Sequence, residues 1–168
     1  MPQADFLISS ERLCFRLLDE TDLGDLERLD MDPDVRAQFP EGILTPAQIK
    51  AHVANARASF REHGYGDFAI IERATERFAG RAGFGSLENG DVEVGYVLLK
   101  EFWGRGLAQE SLRALLAWAK DTLAVPRIVA YAPLQHSASF NVMKKAGMRY
   151  VKTDEMRGVS CDMYVFPL

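Results

Sequence analysis

The sequence predicts an α/β fold of the α+β layout: a mixed, mostly antiparallel sheet of about seven strands with four helices, in the order βααβββαβαββ. Three observations lead there. Phe68–Leu99 contains three apolar runs separated by polar turns, the last being Asn89-Gly90, the strongest hairpin signal in the chain. Val92–Lys120 then changes period, from a strand run to a helix, across a short glycine turn, and another strand run follows at Arg127–Ala132. Strand, crossover helix and strand within one sheet imply a parallel pair in its middle. Finally, two stretches of helical period precede the meander.

The elements follow in order. Within Phe6–Leu18, Leu13, Phe15 and Leu17 alternate with Arg12, Cys14 and Arg16, as in a half-buried first strand. Asp19-Glu20-Thr21-Asp22 offers caps for a helix through Leu23, Leu26 and Leu29, which Pro33 ends or kinks. Thr45-Pro46 fits an N-cap followed by proline at the first helical position. A second helix runs from about Ala47 to Glu62, with Ile49, Val53, Ala56 and Phe60 on one stripe, and Gly64-Tyr65-Gly66 breaks it. Strands are expected at Phe68–Arg73, Phe78–Leu87 and Asp91–Leu99. Gly80, Gly83 and Gly85 point to a bulge or close packing in the second of these. In the third helix Leu107, Ser111, Leu112, Leu115, Leu116 and Ala119 share a face. Pro133 should end the strand at Arg127–Ala132. His136–Ala146 is helical, with Gly147 as its C′ glycine. Met148–Thr153 and Cys161–Phe166 close the sheet, with Gly158 in their connection.

Length and composition bound the function. The 168 residues suit one domain over 1–168 with a proper core. A net charge of −4 argues against non-specific nucleic-acid binding. No apolar run is long enough to span a bilayer, and MPQADFLISSER lacks the basic and apolar regions of a signal peptide. A cytoplasmic protein is expected. Cys14 and Cys161 read as reduced thiols, and the three histidines lack metal-ligand spacing, so no metal is expected. The acid-rich start (Asp19 to Asp34) is either a solvated helix face or a negative rim that attracts a cationic amine.

The chemistry concentrates at the glycine turn. Trp103-Gly104-Arg105-Gly106-Leu107-Ala108 lies between a strand and a helix N-terminus. The first helical N–H groups lack partners inside the helix, and the dipole places partial positive charge there. Glycines allow close backbone approach, and Arg105 adds a full charge. The result is a pyrophosphate cradle, unless the glycines only form a tight turn. It is not a Walker A loop, and Gln109 replaces the third glycine of G-x-G-x-x-G.

These residues resemble the acetyl-CoA signature of the GNAT superfamily of N-acetyltransferases, Gln/Arg-x-x-Gly-x-Gly/Ala, at Gly106 and Ala108. Trp103 departs from the usual Gln or Arg. EVGYVL…FWGRGLAQE resembles the ribosomal-protein N-terminal acetyltransferase (RimJ/RimL) branch. His136-Ser137-Ala138-Ser139…Val142…Lys145-Ala146-Gly147 is similar to the family's second motif, with His136 for Asn and Met148 for Phe. The element order is also the family's.

The resemblance implies a GNAT fold whose central parallel strands splay apart. Acetyl-CoA would lie between them, its arm along the backbone of Tyr96, Val97 and Leu98. Its pyrophosphate would sit on Trp103, Gly104, Arg105, Gly106, Leu107 and Ala108, with His136 and Asn141 near the arm. It implies Glu93 as the base that deprotonates an amine acceptor, a peptide N-terminus or a small molecule. It leaves Ser139 as the nearest polar candidate for the acid, because Met143 occupies the usual tyrosine position. Phe39 and Tyr65 are candidate acceptor-pocket residues. The alternatives are a solvent-facing Glu93, a Ser139 that only bonds cofactor or backbone, and a non-catalytic acyl-CoA sensor or an interaction protein. The protein would be a monomer or homodimer.

Overall fold

The computed structural model describes residues 5–168. The first four residues of MPQADFLISSER, where a signal peptide would begin, lie outside this range. One eight-stranded sheet runs in the order β1-β2-β3-β4-β5-β6-β8-β7. Its strands are β1 Ile8–Ser9, β2 Leu13–Leu17, β3 Asp67–Glu72, β4 Phe78–Ser86, β5 Val92–Leu98, β6 Arg127–Pro133, β7 Arg149–Met156 and β8 Val159–Pro167. The helices are α1 Leu23–Asp30, α2 Pro46–His63, α3 Leu107–Thr122 and α4 Ser137–Lys145. The predicted order holds. The strand beyond the expected seven comes from the first segment, which turns at Ser10–Arg12 and pairs with itself, Ile8 opposite Phe15.

Local chemistry sets most boundaries. Asp19 and Asp22 form a capping box over a 3-10 turn that leads into α1. Thr45 and Gln48 form another at α2, with Pro46 at its start and Gly64 in the left-handed region at its end. β6 runs one residue beyond the expected Ala132 and ends at Pro133, which lies opposite Cys161. Arg157 and Gly158 both have positive φ, 52° and 79°, and make the two-residue turn between β7 and β8. That tight turn lets both closing strands run longer than the alternation alone predicts. Gly80 and Gly83 are there for close approach: a Cβ on either would lie 2.1 Å from a backbone oxygen, that of Val97 on β5 for Gly80 and that of Gly66, just before β3, for Gly83. Gly85 has no such neighbour.

The core lies between the sheet and its helices, with Phe15, Phe68, Leu26, Ile49, Leu112 and Leu115 among its fully buried side chains. The central parallel pair is short. β5 and β6 are in register only at Val92–Ile128 and Glu93–Val129. Beyond those rungs the strands part, and the gap becomes the site. Among the described residues no helix is long and apolar enough to cross a membrane.

The acid-rich start is neither simply a solvated face nor a rim. Asp22 and Asp30 are buried. Asp22 takes a bidentate bond from Arg16 at 2.8 and 2.9 Å. Asp30 accepts from both Arg36 and Arg81.

Candidate active site

The gap between β5 and β6 is a cleft of about 680 Å³, a size typical of small-molecule sites. Glu93–Leu98 form one wall and Ala130–Pro133 the other, with the first turn of α4 and the α3 N-terminus at its ends. A second hollow of about 540 Å³, between Asp19–Leu23 and α2, contains none of the predicted site residues.

The β5 backbone presents hydrogen-bonding groups to this cleft. The Leu99 amide bonds the Ala79 carbonyl at 2.9 Å. Antiparallel ladders alternate, so the groups of Val97 also face β4 while those of Tyr96 and Leu98 face away from it. The Leu98 carbonyl is taken: the Trp103 indole N–H donates to it at 2.9 Å. Of the three residues expected to pair with an arm, Val97 is therefore occupied by β4 and Leu98 keeps only its amide. Tyr96 offers both groups. Trp103 seals the end of β5 with its indole, the residue as a whole being 48% exposed.

The anion cradle is formed by backbone. Gly104 and Gly106 adopt left-handed φ of 71° and 75°, a conformation that glycine reaches without strain. Gly106 is the N-cap of α3 and supplies no side chain to the first helical amides. Those amides, near Leu107 and Ala108, keep free hydrogen-bonding capacity at the positive end of a 16-residue helix. Glu110 in the same turn is turned away, bonded by Ser10 and by the Arg12 amide and guanidinium.

Arg105 corrects an expectation. Its guanidinium does not line the cleft but pairs with Glu72, a buried β3 carboxylate that also accepts from the Thr75 hydroxyl at 2.6 Å. Asn141 is exposed on α4 and lies outside the cleft. Tyr65 is buried in the core, bonded to Ser86 at 2.8 Å and stacked on His63, and is no pocket residue. Phe39 does line the cleft, under the Arg36 guanidinium at 4.0 Å.

The polar side chains converge from distant elements. Glu93 lies on the cleft wall, and burial pushes its carboxyl above the usual range, partly opposed by Arg157. Arg157, from the β7–β8 turn, reaches Glu93 at 3.3 Å and Glu41 at 3.5 Å. Ser139, in the first turn of α4, is 9% exposed and shares a 2.8 Å hydrogen bond with the Tyr96 hydroxyl. His136 is the N-cap of α4, and burial lowers its pKa, favouring the neutral ring. Met143 is buried beside Ser139's helix face and lines the cleft without a proton to give. Arg157 and Glu41 escaped sequence reasoning because neither belongs to a motif. The one local signal was a cation beside Gly158 in a hairpin turn.

The cleft therefore joins an uncapped helix N-terminus to a partly buried carboxylate and a paired hydroxyl. The acetyltransferase (GNAT) domain profile matches residues 12–149. The chain belongs to the GNAT family. As a GNAT N-acetyltransferase, it is 27% identical over 143 residues to the uncharacterized N-acetyltransferase YnaD of Bacillus subtilis (strain 168), covering 84% of this chain and 82% of the relative. Its fold is similar to that of RimL, a ribosomal L7/L12 α-N-protein acetyltransferase solved with coenzyme A. The TM-score is 0.82 at 21% identity, with 98% of each chain covered. It is also similar to the spermidine N-acetyltransferase of Vibrio cholerae solved with CoA and spermine, at TM-score 0.76 and 11% identity, covering 94% and 96%. GNAT enzymes use acetyl-CoA, and this cleft suits it. The backbone groups of Tyr96 lie beyond the two β5–β6 rungs, and the first α3 amides have no side-chain cap.

Proposed function

We propose that this GNAT enzyme transfers the acetyl group of acetyl-CoA to a primary amine, a protein N-terminus or a small molecule, by direct attack with both substrates bound. The observation carrying this reading is that Glu93, on the β5 wall, and Ser139, on the first turn of α4, line one cleft that also reaches the α3 N-terminus. The thioester supplies an activated acyl group, so no enzyme nucleophile is required.

Each residue then has a task. Leu107 and Ala108 amides hold the pyrophosphate at the helix end. Tyr96 backbone aligns the arm. An aliphatic amine is protonated at neutral pH, and Glu93 accepts its proton, directly or through water. The raised Glu93 pKa makes it a better base than an exposed carboxylate would be. Arg157 offsets part of the negative charge of Glu93 and Glu41. Ser139 donates a hydrogen bond toward the departing sulfur. RimL is named for a protein α-amine, a similar structure from Salmonella typhimurium is described as modifying the N-terminal serine of ribosomal protein L7/L12, and the Vibrio enzyme is named for spermidine, which makes a serine-initiated peptide and spermidine the first acceptors to try.

Thermal unfolding tests the binding half. Acetyl-CoA at a hundred times its Kd adds about 2.7 kcal/mol to stability, and ~2–4 °C per kcal/mol is expected for a chain of this size. A rise of several degrees with acetyl-CoA and CoA, and a smaller one with ADP, is the expected result. The absence of any shift in folded protein free of ligand would overturn the reading. A shift without free-thiol release for any amine would leave a non-catalytic acyl-CoA sensor.

A further inference from the structure

We infer that Tyr96 is a positioning residue for the reaction, its phenol setting the direction in which the Ser139 hydroxyl donates. The proposal rests on the acetyl-transfer reading and adds a residue whose side chain had no part in it.

The geometry starts from the cleft. Tyr96 stands on β5 and Ser139 on α4, 43 positions apart, and their hydroxyls meet at 2.8 Å across the cleft. Among the described residues Ser139 Oγ has no other hydrogen-bond partner. A serine hydroxyl has one proton and two lone pairs. Left alone, a serine in a first helical turn can rotate its proton onto a nearby backbone carbonyl or into solvent. When Tyr96 donates, one lone pair is filled and the serine proton must point elsewhere. Ser139 is nearly buried and lines the cleft, so the open space its proton can reach is the cleft itself.

The direction of the bond follows from acidity. A phenol is the stronger donor of the two hydroxyls, and burial pushes Tyr96 up to about 12, so it stays protonated at any working pH. Chained hydrogen bonds polarise one another, so a serine that accepts from Tyr96 also donates more strongly. Met143, nearby on the same helix, has nothing to donate. No proton need pass from Tyr96 to the sulfur: it remains a phenol throughout, and Ser139 makes the contact.

The test pairs an equilibrium readout with a kinetic one, using the full chain and the Y96F and S139A variants. Calorimetry compares CoA with desulfo-CoA, which lacks the sulfur. A directed bond to the sulfur should favour CoA about tenfold in the unmodified protein. The preference should fall toward unity in both variants while desulfo-CoA binds all three equally. With spermidine or a serine-initiated peptide as acceptor, Y96F should lose about tenfold in kcat at nearly constant KM for acetyl-CoA. S139A should lose at least as much, and the double variant no more than S139A. An unchanged CoA preference in Y96F, or equal weakening of CoA and desulfo-CoA, would overturn the proposal. If the unmodified protein releases no thiol with any acceptor, but Y96F still abolishes the CoA preference, the transfer reading fails and the Tyr96 role stands.

Discussion

Glu93→Gln should lower kcat/KM by about 10²-fold or more, the usual contribution of a positioned base, while the acetyl-CoA thermal shift stays within a degree of the unmodified protein. Glutamine keeps the shape and some of the hydrogen bonding but cannot take a proton. The pH profile carries the sharper information. Glu93 has a pKa raised by burial, so its basic form is lost as pH falls through a point above the ordinary glutamate range. The unmodified enzyme should show an acid limb there, and Glu93→Gln should not. Arg157 lowers the Glu93 pKa by its charge and hydrogen bond. Arg157→Ala should therefore move the limb to higher pH. A limb that stays in place in both variants would transfer the base role to another group.

Asp30→Ala should be the most destabilising single change at an ionic residue. Asp30 is 1% exposed and accepts from the Arg81 guanidinium at 2.8 and 3.0 Å and from Arg36 at 3.3 Å. Removing it leaves two guanidinium groups in the interior with one partner fewer. Breaking a buried pair costs about 3–5 kcal/mol, and at ~2–4 °C per kcal/mol this predicts a fall in Tm of about 10 °C. Asp30→Asn, which retains an acceptor oxygen, should fall less. The loss should reach the active site, because Arg36 also donates to the Gly42 carbonyl at 2.8 Å and stacks on Phe39. It thereby fixes the segment that carries Glu41 to Arg157. A Tm within two degrees of the parent would show that water or the remaining carboxylates replace Asp30 without loss.

The elements were legible in the sequence wherever periodicity and turn chemistry agreed. The meander with Asn89-Gly90, the Thr45-Pro46 start of α2 and the strand–glycine–helix unit all have local causes. The glycine turn at the start of α3 was legible for the same reason, since Gly104 and Gly106 lie one residue apart and both take the left-handed conformation. Charge pairing was not. Arg105 looks like a phosphate ligand in its six-residue context, yet Glu72, thirty-three positions earlier, holds it. Tyr65 sits beside a loop in sequence but packs inward because β4 brings Ser86 and Phe84 to it. Glu93 could be singled out from its strand, whereas Arg157 could not, because their contact depends on how β5 and the β7–β8 turn are stacked. The eighth strand was hidden by its two-residue length.

The two-rung junction of β5 and β6 has a thermodynamic consequence. Every further rung between these strands would add stability, and every one would consume backbone groups that the proposed acetyl-CoA arm would use. The Tyr96 amide should exchange readily with solvent in the free protein and slow markedly with acetyl-CoA, a difference that hydrogen exchange can read at one residue. Selection for a more heat-resistant variant should find easy gains by zipping this junction, and those gains should cost activity. On the proposed reading, fold and reaction compete here for the same backbone groups, and the free protein leaves them unpaired beyond two rungs.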